Sequence, residues 1–218
     1  MIRNLLMGAA AAALLAACSA DGQTANQASA EKSERGEAET RRFVNSRDRA
    51  GTPALREGYI DFALDYPASW SVVPQGEGSR NFVDIAGPNN ASSIMVSTAR
   101  FSDLGPNGEG IEDALPDLAE QLGRDMPDYR ATGLGRQRIG RYDTWGWRFS
   151  ATAPSPNGGT RRVSGRADLY LPEGRSTALF IATMAAEDAP EYAPPSALGE
   201  TGATARMYDS LRIGEDLR

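Results

Sequence analysis

The chain has 218 residues, 40% of them hydrophobic, and a formal net charge of −6 without one histidine. Its single cysteine is Cys18 and its single lysine is Lys32. These counts exclude a serine or cysteine triad with a histidine base, histidine-ligated zinc or copper, and any internal disulfide.

The start reads Met1-Ile2-Arg3-Asn4, then an apolar run from Leu5 to Leu15, then Ala16-Ala17-Cys18. One positive charge before a short apolar stretch is the layout of a secretory signal. The run is too short to span a bilayer, which takes roughly 20 apolar residues. Leu15-Ala16-Ala17-Cys18 resembles the lipobox of bacterial lipoproteins. That resemblance implies cleavage after residue 17, diacylglycerol on Cys18 and acylation of the new amino terminus. An ordinary cleaved signal followed by a coincidental cysteine is the alternative. Three acyl chains would make dissociation negligible, since each buried methylene contributes about 0.8 kcal/mol. Ser19 follows the cysteine where an aspartate would suggest retention at the inner membrane, so an outer-membrane anchor facing the periplasm is expected.

Residues 18–54 form the expected tether. They are rich in Ala, Gln, Ser, Glu, Arg and Gly, with Phe43-Val44 the one sizeable apolar pair. Such composition buries too little to offset the entropy of ordering, so a flexible linker is expected. A charged helix over Glu31 to Arg42 is the alternative.

Residues 55–218 make one domain of ordinary length. Ile60, Phe62, Leu64 and Tyr66 alternate with Asp61, Ala63 and Asp65 as in a half-buried strand that Pro67 ends. Trp70 to Val73, Phe82 to Ala86 and Ile94 to Phe101 read as further strands. Ile111, Leu115, Leu118, Leu122 and Met126 form the apolar stripe of a helix over about Glu112 to Asp125, with a start near Leu115 as the alternative that Pro116 raises. Leu134 to Ile139 is a short strand. Trp145, Trp147 and Phe149 then share one strand face, and Pro154 to Gly159 carries hairpin chemistry. Val163, Ala167, Leu169 and Leu171 alternate with Arg162, Ser164, Arg166, Asp168 and Tyr170. Thr177 to Ala185, almost continuously apolar, reads as a central strand covered on both faces. A proline-rich loop precedes a last helix over about Ala203 to Leu211. Strands, helix, strands, helix is an α+β domain built on an antiparallel sheet.

Several short motifs in this order resemble the PsbP-like superfamily, and within it the DcrB-like bacterial envelope lipoproteins. They are Phe62-Ala63-Leu64-Asp65-Tyr66-Pro67-Ala68-Ser69-Trp70, Met126-Pro127-Asp128-Tyr129, Ile139-Gly140-Arg141-Tyr142, Leu171-Pro172-Glu173-Gly174-Arg175 and Asp209-Ser210-Leu211-Arg212-Ile213. The resemblance implies a central antiparallel sheet with helices on both sides, an α/β/α sandwich, and accessory roles that work by binding. No catalytic motif defines the superfamily, so it supplies no catalytic residue.

Site candidates are few. Gly133-Leu134-Gly135 lacks the third glycine and following helix of a phosphate loop, so no cofactor is expected. Asp61, Asp65 and Asp84 could serve a carboxylate hydrolase, or else lie separately solvated. Asp103, Asn107 and Glu109 are half of a calcium loop interrupted by Pro106, or a solvated loop. Trp70, Trp145 and Trp147 could form a sugar platform, with core packing the better reading for the last two.

From Arg130 to Arg166 the chain carries eight arginines and one acid, a local +7 in a chain of −6. Arg148, Arg162 and Arg166 fall on polar strand faces and could bind anionic lipid or another polyanion. The alternative is internal neutralisation, with the acidic helix facing these arginines. The expectation is therefore a lipid-anchored envelope domain without catalysis, contacting another envelope protein and no nucleic acid.

Overall fold

A computed structural model describes residues 39–217, apart from 51, 75–78, 102–103, 106–107 and 156–157. The leader, Cys18 and most of the linker lie outside the described residues, as do Asp103 and Asn107. The fold is α+β. Among the described residues ten strands run in chain order: β1 Thr40–Val44, β2 Phe62–Pro67, β3 Ser71–Val72, β4 Asn81–Ala86, β5 Ser92–Arg100, β6 Arg130–Ile139, β7 Tyr142–Pro154, β8 Thr160–Tyr170, β9 Thr177–Ala186 and β10 Arg212–Ile213. The helices are α1 Pro53–Glu57, α2 Ile111–Gly123 and α3 Gly202–Ser210.

The main sheet has the order β3-β4-β5-β9-β8-β7-β6, antiparallel throughout. β9 is its middle strand, as the unbroken apolar run demands. One face carries Met95, Trp147, Phe149, Leu169 and Phe180 against Ile111, Leu115 and Leu118 of α2. The other carries Ile85, Ile94, Val96, Leu179 and Ile181 against Phe62 and Leu64 of β2 and Met207, Tyr208 and Leu211 of α3. Helices thus cover both faces. A second sheet of order β1-β2-β10 shares the α3 side, so β2 is not a strand of the central sheet.

Two expectations need correction. The linker does not run to Ala54: Thr40–Val44 pairs antiparallel with β2, with Phe43 opposite Leu64 and 4% exposed. A strand that buries one side chain leaves no periodicity in sequence; its order comes from backbone bonds to β2. The charged-helix alternative fails over 40–42 for the same reason. Likewise α2 spans Ile111–Gly123, close to the expected Glu112 to Asp125, and runs through Pro116, so the later start at Leu115 is the part that fails. Pro116 lies on the exposed side of the helix, so the Glu112 carbonyl it leaves unpaired can meet water. Burial of Ile111, Ala114, Leu115, Leu118 and Ala119 holds the first turn in place.

Close packing is strictest between β7 and β8. Gly165 lies opposite Phe149, and a Cβ there would come within 1.9 Å of the buried ring. Gly165→Ala is expected to cost about 1–3 kcal/mol of stability through overpacking. A lowered denaturation midpoint in urea checks this, and an unchanged midpoint contradicts the contact.

Candidate functional site

The three singled-out arginines do not make a surface patch. Arg148 and Arg166 are cross-strand partners on β7 and β8, and the structure brings them together under α3 and the segment before it. Arg166 is 3% exposed and Asp168, two residues on along the same face, is 0% exposed. The Arg166 Nε donates to Asp168 Oδ2 at 2.7 Å and Nη2 to Oδ1 at 2.9 Å. Thr144 Oγ1 donates to the same carboxylate at 2.9 Å. The Arg166 guanidinium also reaches the Arg138 carbonyl and lies 5.2 Å from the centre of the Tyr208 ring. Burial pushes the Asp168 carboxyl above its ordinary range, against the Arg166 and Thr144 hydrogen bonds, which favour the ionised form.

Arg148 donates to the carbonyls of Pro195 and Leu198 at 3.0 and 2.8 Å and to Glu200 at 2.8 Å. Two of the three candidates are therefore spent on internal partners, and only Arg162 is exposed. Arg148, Arg161 and Arg166 are paired internally, by Glu200, Asp188 and Asp168 and not by the acidic helix, whereas Arg130, Arg136, Arg138, Arg141 and Arg162 are exposed. The exposed acids of α2 point to solvent.

The three candidate carboxylates stay apart. Asp61 accepts the Tyr59 hydroxyl at 2.8 Å. Asp65 faces Arg42 at 3.5 Å, four residues further along, or about 13 Å of strand. Asp84 pairs with Asn81 and lies in register with Met95, on the α2 face of the main sheet. A glycosidase pair needs its carboxyls within about 5–9.5 Å, so these three compose no hydrolytic site. Among the described residues, no group of three His, Cys, Asp or Glu side chains could hold a metal ion. Trp147 is fully buried and Trp70 is 3% exposed, both core residues. Trp145 is half-buried, with the Arg136 guanidinium 4.3 Å above its ring.

Instead, the structure opens a cleft of about 980 Å³ at one end of the sandwich. Five separate stretches converge there: Asn45 to Arg47 after β1, Tyr59 to Asp61 before β2, Tyr142 at the start of β7, the β8–β9 hairpin, and Ile213 to Asp216 from the end of β10 onward. Two tyrosines hold carboxylates at the rim. Tyr59 donates to Asp61, and Tyr142 donates to Asp216 at 2.5 Å while accepting the Ile213 amide at 2.9 Å. Burial and the hydrogen-bonded carboxylate push both hydroxyls up to about 12, which keeps them protonated donors. Tyr170 meets Tyr142 edge-on at 5.1 Å. Arg175, from the hairpin, donates to the Tyr59 carbonyl at 3.0 Å and ties the two sheets together across the cleft.

Sequence reasoning missed this cleft, although it weighed Asp61 for other work. The tyrosines and acids carry no motif spacing, and no local signal brings residues 45, 59, 142, 173 and 215 together.

Fold and cleft together define a layered α+β domain with an open polar cleft at one end. Neither a family model nor a curated protein sequence matches the chain. Among solved structures, LpqN, involved in cell envelope biogenesis of Mycobacterium tuberculosis, is similar at 16% identity and a TM-score of 0.48, over 80% of this chain and 91% of that one. Cyanobacterial PsbP (CyanoP) from Synechocystis is similar at 9% identity and a TM-score of 0.49, over 84% and 98%. The Ran-binding protein Mog1p of Saccharomyces cerevisiae is similar at 11% identity and a TM-score of 0.42, over 69% and 89%. At such scores, function has to be read from this chain's own residues.

Proposed function

We propose that the chain is exported, lipidated on Cys18, and acts in the cell envelope as a non-catalytic binding domain for another envelope protein. The observation that carries this reading is the placement of the cleft relative to the tether. The chain enters β1 at Thr40 and reaches the cleft at Asn45, about 17 Å further on. The cleft therefore opens at the end of β1 opposite the one that the tether joins. About 20 residues separate Cys18 from Thr40 and can span at most about 70 Å. Among the described residues, no helix is long and apolar enough to cross a membrane. The described carboxylates weighed for hydrolysis are held apart by separate partners, in keeping with a role in binding. Ser19 favours the outer membrane, facing the periplasm.

Metabolic labelling with a palmitate analogue tests the anchor. Label is expected in the wild type and its complete loss in Cys18→Ser; an unlabelled wild type refutes the lipidation. Crosslinking in intact cells followed by pull-down tests the binding role. Recovery of a defined envelope protein supports it, and recovery of only lipid-modification enzymes and general porins counts against it.

A further inference from the structure

The cleft has a charge and hydrogen-bond character that selects its occupant. Four carboxylates line it, from Asp61, Glu173, Glu215 and Asp216, against the guanidiniums of Arg47 and Arg175. The net formal charge is −2, although the chain's arginine-rich stretch passes along the neighbouring strands. Both arginines are already engaged, Arg175 on the Tyr59 carbonyl and Arg47 over the Tyr59 ring at 5.4 Å. Two of the acids are not: among the described residues, Glu173 and Glu215 make no hydrogen bond or ion pair, and both are exposed.

Asn45 gives a second, independent indication. It lines the same cleft at 3% exposure, and its Nδ2 is fixed by donating to the Ile60 carbonyl at 2.9 Å. Among the described residues its Oδ1 has no donor. A buried acceptor without a partner costs about 1–3 kcal/mol, so a ligand that brings hydrogen-bond donors gains where one bringing acceptors does not. Tyrosine faces beside carboxylates favour cations in the same way, as Arg47 over Tyr59 already illustrates.

Building on the reading of this domain as a binding module, we infer that the cleft takes a basic segment of a partner protein, its lysine or arginine side chains donating to Glu173, Glu215 and the Asn45 amide oxygen. A volume near 980 Å³ is at the upper end for a small-molecule pocket and accommodates several side chains of an extended peptide.

The test uses the full-length lipidated chain in neutral detergent and a fluorescent hexa-arginine peptide, followed by anisotropy at low and high salt. Saturable, salt-sensitive binding is expected, weakened at least tenfold by Glu173→Lys with Glu215→Lys. The same reversal on α2, Glu112→Lys with Asp113→Lys, is expected to change it less than twofold. Unchanged thermal unfolding of both variants shows that folding is not the cause. No binding, equal loss in both variants, or equal binding of hexa-glutamate overturns the inference. So does displacement of the peptide by spermine at equal charge concentration, which would make the site one for free polyamines. An envelope protein whose crosslinked capture survives the cleft reversal refutes the cleft assignment and leaves the binding role standing. Failure to capture any partner, with the peptide still bound at the cleft, does the reverse.

Discussion

Asp168→Ala is expected to destabilise the folded chain by about 3–5 kcal/mol, because it strands a guanidinium that is 3% exposed without its carboxylate. For a domain of this size the melting temperature should fall by roughly 10 °C. The cause is asymmetric. An intact buried pair contributes little net stability, since desolvation cancels most of the attraction, whereas one buried charge left alone bears the whole penalty. The double replacement Arg166→Met with Asp168→Leu should therefore recover most of the loss. If Asp168→Ala costs less than about 1 kcal/mol, or the double variant is worse than the single, the pair is not the closed unit described. The effect should reach the cleft as well. Arg166 also approaches Glu200, and Arg148 holds the Pro195 and Leu198 carbonyls. Together they seat the segment leading into α3, whose continuation through β10 forms the rim at Ile213 to Asp216.

Trp147→Ala is expected to cost a similar amount, about 3–5 kcal/mol, by opening a cavity between the main sheet and α2. Trp147 is fully buried, lies 6.1 Å from the Phe180 ring, and donates from Nε1 to the Tyr129 hydroxyl at 2.7 Å. Burial raises that hydroxyl well above the usual tyrosine range, so it stays protonated, and removing the indole leaves it short of a donor. Trp145→Ala is the control. Its ring is half-buried and covered by Arg136, a contact of roughly 0.5–1 kcal/mol, so the loss should be several-fold smaller. Urea unfolding of the two variants decides the matter: equal losses would mean that the two rings, which share one face of β7, are equally covered.

Much of the fold was legible because strand and helix patterns are local. The alternation in β7, the continuous run of β9 and the stripe of α2 each announce a face to be buried, and the structure buries each of them. Where reading failed, the determining contact was distant in sequence. β1 carries one buried side chain and owes its order to pairing with β2. The cleft joins side chains from five stretches, none with a recognisable spacing.

The arginines show the division most clearly. Sequence alone established that Arg166 and Asp168 share a strand face and that Arg148 stands on the polar side of its own strand, since successive side chains alternate. It could not establish whether that polar side meets water or protein. Only the tertiary structure decided this, by laying α3 and its leading segment across the polar face, where low exposure makes hydrogen-bonded pairing the one tolerable state for a charge.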